Sequence, residues 1–256
     1  MNKSEEKIEE KMRELLYDFR RFFEQLKEEG IETVESARGP AGLVKKKPRA
    51  ARTAPPAAEK TLPEKEAASL PERFRALLRE IAGCRKCGLA STRRQVVPGE
   101  GGNRKRILFI GEGPGADEDR IGRPFVGRSG QLLEKVLSSI SLSRDDVYIT
   151  NIVKCRPPDN RDPQSDEAAA CRPFLEKQIE LLRPRVIVTL GSPAVKTLLE
   201  TESGIGRLRG RFHDYRGIPL LPTYHPAYLL RVYTPENRKK VWEDMKMLRD
   251  FLEKME

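Results

Sequence analysis

The sequence predicts an α/β fold with an open, doubly wound and mainly parallel sheet of four strands, flanked by helices. Four short β-rich runs, at 106–110, 146–150, 185–190 and 218–222, follow one another beyond residue 70. Helix-length segments alternate with these runs, and this alternation is typical of parallel strands joined by crossover helices. The strongly apolar character of the first three runs indicates strands that are buried on both faces.

The fourth run is the weakest of the four because it contains two prolines, Pro219 and Pro222. Proline has no N–H group to donate to a neighbouring strand, so within sheets it is found mainly on edge strands and at strand ends. We therefore expect this run to lie at an edge of the sheet or to end at its prolines.

Two segments precede the domain that the strands define. Residues 1–37 carry apolar side chains at helical spacing, from Ile8 to Leu26, and predict an amphipathic helix that docks on the body or on a protein partner. Residues 38–69 are basic and rich in alanine and proline. Such a stretch cannot bury much apolar surface, so we expect a disordered linker there. Residues 70–256 are expected to form the globular domain.

The charge of the chain suggests an acidic partner. The sequence has 49 lysines and arginines against 39 aspartates and glutamates, a formal net charge of +10. Such an excess suits a polyanion, although charge alone does not choose between nucleic acid, an acidic protein and a merely solvated surface. With no signal peptide and no apolar run of membrane-spanning length, we expect a cytoplasmic monomer with reduced thiols and no membrane partner.

The four cysteines of the chain suggest a metal centre. Cys84 and Cys87 are spaced C-x2-C, and Cys155 and Cys171 follow with the spacing C-x15-C. Four thiolates that converge from two loops satisfy either a zinc ion or an iron-sulfur cluster. The residues alone leave both metals open.

The residues that follow the four runs are candidates for ligand binding. In an open α/β sheet, ligands bind beyond the carboxyl ends of the strands. These positions hold Gly111, Glu112, Gly113, Pro114 and Gly115 after the first run, Asn151 after the second, Gly191 after the third and His225 after the fourth. A glycine-rich turn lets a ligand approach the backbone closely, and a histidine between two turn-forming residues is a candidate catalytic group.

Four motifs in this order make the chain resemble a known family. GEGPGADED spans 111–119, GRPFVG spans 122–127, TNIVKCRPP spans 150–158 and HPAYLLR spans 225–231. Together they closely resemble the family 4 uracil-DNA glycosylases, over about residues 70 to 250. The resemblance implies the α/β fold of these enzymes and a reaction that flips uracil out of single- or double-stranded DNA and hydrolyses its N-glycosidic bond. The abasic site left behind initiates base excision repair.

The resemblance also implies a cofactor and a set of substrate contacts. It makes the four cysteines ligands of a [4Fe-4S] cluster. Phe125 matches the residue that stacks on the flipped base, and Asn151 matches the residue whose amide pairs with the uracil edge. His225 matches the histidine that faces uracil O2, where a donor stabilises the negative charge of the departing base. The substrate-binding turn would contain Gly111, Gly113 and Gly115.

The group that activates water is less clearly marked. Related families place an aspartate or asparagine inside the first motif, where this chain has Gly113 and Pro114. Glu112 is the nearest carboxylate and our first choice, and Glu118 is the second. Two alternatives stay open: a cationic sugar can react with a water that is merely positioned, and Glu118 can be an ordinary first-turn carboxylate of a helix.

Three residues after the histidine are expected to face DNA. Leu229 or Leu230 can fill the gap that the flipped base leaves, and Arg231 can hold a flanking phosphate. A hydrophobic start of a helix would explain one of the leucines equally well.

Two other functions fit parts of the same sequence. The first is a non-catalytic, metal-stapled module that binds nucleic acid or a polymerase, but it gives Phe125, Asn151 and His225 no shared purpose. The second is a uracil-DNA binder that forms a covalent bond with the abasic site through a histidine in an inserted loop. The segment between Cys155 and Cys171 contains no histidine, so turnover is expected instead.

Overall fold

A five-stranded sheet organises residues 72–255, the part of the chain that this computed structural model describes. The strands are β1 (Ile107–Gly111), β2 (Val147–Asn151), β3 (Val186–Leu190), β4 (His213–Tyr215) and β5 (Ile218–Thr223). Their order across the sheet is β2-β1-β3-β5-β4. The helix expected within residues 1–37 and the linker expected at 38–69 lie outside the described residues.

The fold class predicted from the sequence is confirmed. β1 pairs in parallel with β2 on one side and with β3 on the other, and β3 pairs in parallel with β5. Every residue of the first three strands is buried, which requires cover on both faces of the sheet. Because these four strands run in the same direction, the loops after Gly111, Asn151, Leu190 and Thr223 leave from one edge.

Eight helices occur in the described part of the chain, together with short 3-10 turns at Gly88–Ser91 and Pro158–Asn160. They are α1 (Glu72–Ala82), α2 (Ala116–Ile121), α3 (Arg128–Ser138), α4 (Ser165–Leu182), α5 (Ser192–Leu199), α6 (Ile205–Leu208), α7 (Pro226–Arg231) and α8 (Pro235–Glu253). Helix α1 packs on α4, α3 packs on α7, and α8 lies against β5. Helix α7, which carries the histidine motif, therefore packs on α3.

The sheet has one strand more than the four that the sequence predicts. β4 pairs antiparallel with β5, and the two are joined by Arg216 and Gly217, whose φ angles are +53° and +82°. Two successive residues with positive φ are typical of the tight turn that closes a β-hairpin. A strand of three residues is too short to show an alternation of apolar and polar side chains, so its sequence carried no usable signal.

The prolines of β5 lie inside the sheet, where an edge or a strand end was expected. Pro219 is opposite Asp214 of β4, and Pro222 is opposite Thr189 of β3. Only Leu220 has a partner on both sides. Each proline therefore lies in a half of β5 that has only one neighbouring strand. Few hydrogen bonds of the sheet are lost there because proline lacks an N–H group.

A buried ion pair supports the end of β5. Arg209 donates to both carboxylate oxygens of Asp244 in α8, over 3.0 and 2.7 Å, and the hydroxyl of Thr223 donates to the same carboxylate over 2.7 Å. Burial raises the pKa of Asp244, while the hydrogen bonds from Arg209 and Thr223 oppose that rise. The last residue of β5 is thus fixed two positions before His225.

Within residues 72–255, no helix has the length and apolar character needed to cross a lipid bilayer.

Candidate active site

Groups from three loops meet beyond the carboxyl ends of the parallel strands. Gly111 ends β1 directly opposite Asn151. A side chain at Gly111 would collide with the amide oxygen of Asn151 and would lie 2.7 Å from Cζ of Phe125. The ring centroids of Phe125 and His225 are 5.6 Å apart, with the ring planes inclined by 33°. The structure thus brings four of the predicted site residues together around one position, the candidate pocket.

Gly191 is a fifth member of this group, which the sequence analysis named but gave no role. Its φ is +90°, a backbone conformation that side chains with a Cβ rarely adopt. A Cβ at Gly191 would lie 3.1 Å from Cβ of His225. Glycine at this position therefore lets the turn after β3 approach the histidine.

His225 is held as a neutral imidazole with a defined tautomer. It is the N-cap of α7, and its Nδ1 accepts a hydrogen bond of 3.0 Å from the backbone N–H of Ala227. Burial, with a smaller contribution from the charge of Arg231, lowers the pKa of His225 from 6.5 to about 4. At neutral pH the single ring proton is therefore on Nε2, which is left as a donor.

Asn151 combines burial with an unsatisfied polar atom. The residue is only 1% exposed, and its Oδ1 has no hydrogen-bond partner within the described structure. A buried acceptor without a donor destabilises a protein by about 1 to 3 kcal/mol. Among the buried atoms of this kind in residues 72–255, Oδ1 of Asn151 is the one that lies next to the ring of Phe125, above Gly111. The backbone carbonyl of Asn151, by contrast, accepts a hydrogen bond of 2.6 Å from Nζ of Lys154.

Glu112 lies beside the pocket on the turn after β1. The turn is fixed by the N–H of Val153, which donates to the carbonyl of Glu112 over 3.2 Å. Burial, followed by the charge of Asp162 and a hydrogen bond with it, raises the pKa of Glu112 from 4.5 to about 7. The charge of Arg231 opposes this rise. A carboxyl group with this pKa changes protonation near neutral pH, as a general base requires.

Glu118 has its carboxylate occupied by backbone groups. One oxygen accepts from the N–H groups of Val126 and Gly127, both over 2.9 Å, and the other accepts from the N–H of Gly115 over 3.1 Å. This arrangement ties the glycine turn to the loop that carries Phe125. It favours a structural function for Glu118 over the activation of water.

Two glycines of the first motif shape the turn itself. A Cβ at Gly113 would lie 2.9 Å from Cγ2 of Val153, and one at Gly115 would lie 2.7 Å from Oε2 of Glu118. Both positions therefore exclude a side chain because of neighbouring protein atoms. Direct contact of either glycine with a substrate stays a prediction.

The three residues after the histidine motif differ in exposure. Leu229 is only 4% exposed and packs in the core, so Leu230 is better placed than Leu229 to reach the surface. This corrects the expectation that Leu229 faces DNA, since the leucine anchors α7. Leu230 is half-buried and Arg231 is exposed, and these two keep the predicted surface positions.

The four cysteines line one cavity. It is partly open to solvent and lies between α1, the 3-10 turn at Gly88–Ser91 and α4. The thiols that line it belong to Cys84, Cys87, Cys155 and Cys171. All four are free thiols, and the last two are buried. Burial raises the pKa of Cys155 to about 11, so its thiolate needs a cationic partner to form at neutral pH.

The four thiols form the ligand set that either of the two metals left open by the sequence needs. Four cysteine thiolates bind a zinc ion or an iron-sulfur cluster. The wall of this cavity therefore supplies the donors for such a centre.

Positive charge surrounds the cavity. Lys154 lies in its wall with 1% of its surface exposed, donates to Thr150 Oγ1 over 2.7 Å, and contacts no carboxylate of the described residues. Burial lowers the pKa of Lys154 to about 8. Arg93 donates to Sγ of Cys155 over 3.1 Å. A cluster bound by four thiolates carries negative charge, which these two cations complement.

Several functional neighbours were missed by the sequence analysis. Lys154 lies inside a recognised motif, but a lysine in a basic chain gives no sign that it is buried. Asp162 is far from Glu112 in sequence, and only folding brings the two carboxyl groups together. Arg144 contacts the loop of Phe125 from a segment without a motif.

Comparisons with known proteins show similarity to one family of enzymes. The model of the uracil DNA glycosylase superfamily matches residues 98–246. The chain is 46% identical over 182 residues to the type-4 uracil-DNA glycosylase of Saccharolobus solfataricus, an alignment that covers 68% of this chain and 83% of the relative. The chain is 46% identical over 180 residues to the type-4 enzyme of Sulfurisphaera tokodaii, and this alignment covers 67% of the chain and 81% of that relative. The chain is 47% identical over 173 residues to the type-4 enzyme of Thermotoga maritima, and this alignment covers 67% of the chain and 90% of that relative.

We predict that His225 stays neutral, with its proton on Nε2, from about pH 5.5 to about pH 8. Nitrogen NMR of histidine-labelled protein measures both the charge and the tautomer. Replacement Arg231→Met should raise the pKa of His225, because the charge of Arg231 contributes to lowering it. Unfolding in urea is the control and should return the pKa to about 6.5. An imidazolium signal at neutral pH, or a proton on Nδ1, would contradict the assignment.

Proposed function

This chain belongs to the type-4 group of the uracil-DNA glycosylase superfamily and is a DNA N-glycosylase that releases uracil to initiate base excision repair. We propose that Asn151 recognises the uracil base. The observation that carries this proposal is the buried Oδ1 of Asn151, which has no partner in the described structure. Uracil presents an N3–H donor beside the O4 acceptor. One amide group can accept from the first and donate to the second.

Phe125 and His225 complete the proposed recognition of the base. A uracil that has left the duplex loses the stacking of its neighbours, and the ring of Phe125 beside Asn151 offers a replacement surface. Cleavage of the N-glycosidic bond leaves negative charge on the uracil. The Nε2–H of His225 is a donor that requires no proton uptake, and it stabilises charge at O2 in a site with little water.

Glu112 is the proposed group for water activation. Its pKa of about 7 allows it to accept a proton from water while the sugar becomes cationic. Glu118 is the weaker candidate, since three backbone N–H groups already occupy its carboxylate. We assign Glu118 to holding the loop of Phe125.

We propose contacts with DNA on the surface next to the pocket. Leu230 follows His225 in α7 and is the leucine that remains for the gap left by the flipped base. Arg231 is exposed and suits a flanking phosphate. The proposed partner is uracil-containing DNA, single- or double-stranded.

We propose that the four cysteines hold a [4Fe-4S] cluster. Support comes from the shared cavity, its four thiols, and the cationic groups of Lys154 and Arg93 in its wall. When bound, the cluster supplies a rigid junction between two distant parts of the chain. Cys155 is four residues beyond Asn151, and Lys154 donates to the carbonyl of Asn151, so ordering at the cluster extends to the base reader.

We expect Asn151→Asp to lower uracil release at least tenfold while DNA binding changes little. A carboxylate cannot donate to O4, and an unpaired buried polar group costs about 1 to 3 kcal/mol. Single-turnover assays on matched uracil and cytosine oligonucleotides measure the effect, with Leu230→Ala as a DNA-contact control. Weak release of cytosine by the variant would support base reading, because cytosine has an amino donor in place of O4. Unchanged uracil release would contradict it, and no release by the unaltered protein would favour a binding module.

We expect the rate of uracil release to rise with pH through about 7, because the base form of Glu112 is the active one. Glu112→Gln should lower the single-turnover rate by roughly a hundredfold and flatten this dependence. Asp162→Asn should move the midpoint to lower pH, since the charge of Asp162 helps to raise the pKa. Glu118→Gln is the matched control and should keep the midpoint. A Glu112→Gln variant with the original rate and profile would leave a positioned water as the explanation.

We expect about four irons per chain in protein purified without oxygen. Cys155→Ser should lose most of the iron and lower the midpoint of urea unfolding, because the cluster links distant segments. Iron, sulfide and zinc analysis of both proteins provides the measurement. One zinc per chain in fully active protein would overturn the cluster.

A further inference from the structure

The loop that carries Phe125 is held from both sides by charged side chains. On one side, the carboxylate of Glu118 accepts from the N–H groups of Val126 and Gly127, both over 2.9 Å. On the other side, the guanidinium of Arg144 donates to the carbonyl of Pro124 over 3.1 Å and to the carbonyl of Phe125. Three consecutive peptide units around Phe125 are therefore fixed by two ionic groups.

Arg144 is itself fixed by a buried carboxylate. It donates to Glu100, whose side chain is 4% exposed, and Glu100 also accepts from Nε of Arg123 over 2.6 Å. The backbone of Glu100 is bound to β2 by two hydrogen bonds with Ile149, of 3.0 and 2.8 Å. The sequence of contacts thus runs from the edge of the sheet through Glu100 and Arg144 to the loop of Phe125.

The backbone of Phe125 needs such support. Its φ is +52°, in the left-handed region that a residue with a Cβ rarely adopts. A Cβ at Gly130 would collide with the carbonyl of Phe125, so the following helix also leaves no freedom there. Strained residues of this kind persist where their surroundings determine them, and they are concentrated at functional sites.

We propose that Arg144 and Glu100 are positioning residues, which hold the ring of Phe125 in the orientation that receives the flipped base. The inference rests on the proposed function of Phe125 as the stacking surface. A guanidinium suits this task because its planar donors reach two carbonyls and the carboxylates of Glu100 and Glu134 at once. Arg144 contacts the carbonyls of the loop and Glu100 contacts Arg144, so each acts through Phe125.

A double-mutant cycle tests this dependence. Arg144→Met should lower single-turnover uracil release by roughly tenfold to a hundredfold, because a misplaced contact group loses most of its effect. In a Phe125→Ala background, the same replacement should change the rate by less than about twofold, since the ring on which Arg144 acts is gone. Arg144→Lys, which keeps the charge, should recover part of the rate and serves if the methionine variant fails to fold.

Arg106 provides a matched control. Its guanidinium donates to the carbonyl of Arg183 over 2.7 Å, and Arg183 also has a positive φ, of +46°. Arg106 precedes β1 at the end of the sheet opposite to the pocket. Arg106→Met should therefore leave the rate of uracil release within about twofold and combine additively with Phe125→Ala.

A second readout separates positioning from a general loss of structure. The fluorescence of a 2-aminopurine next to the uracil rises when the base leaves the stack, and this rise should be smaller for Arg144→Met at saturating protein. DNA affinity and iron content should stay unchanged. Equal losses from Arg144→Met with and without Phe125, or no loss at all, would overturn the proposal. Failure of the unaltered protein to release uracil would instead overturn the proposed function.

Discussion

The parallel register of β1 and β2 is the constraint on which the site depends. It sets the last residue of one strand, Gly111, beside the last residue of the other, Asn151. Since Gly111 has no side chain, the amide of Asn151 and the ring of Phe125 occupy the space above it. A shift of one residue would turn Asn151 to the opposite face of the sheet and remove the pocket.

The groups proposed to contact the uracil are neutral, and the charged groups contact the backbone and side chains that support them. The imidazole of His225 is uncharged, and Asn151 and Phe125 carry no charge at any pH. Behind them, Lys154 holds the backbone of Asn151 and Asp244 holds the end of β5. Charges held within the protein fix geometry without attracting water into the pocket, and a site with little water strengthens the hydrogen bonds that meet the developing charge.

The sequence predicted the parallel strands because each is a short apolar run, and the ends of those runs placed Gly111, Asn151 and His225 on one edge. It did not predict β4, because three residues carry no period. Leu229 was misplaced because a leucine at the start of a helix looks the same in sequence whether it faces the core or a partner. The supports of the site, such as Arg144, were missed since their partners are fixed only by tertiary contacts, which local patterns do not encode.

The unpaired oxygen of Asn151 serves the proposed recognition of the base but lowers the thermal stability of the protein. An unsatisfied buried acceptor lowers the free energy of unfolding by about 1 to 3 kcal/mol. The whole free energy of unfolding of a protein is typically about 5 to 15 kcal/mol. An apolar side chain at this position would recover part of that free energy and leave no group to read a base. Laboratory selection for thermostability alone would therefore favour the loss of Asn151, and only a simultaneous demand for activity would retain it.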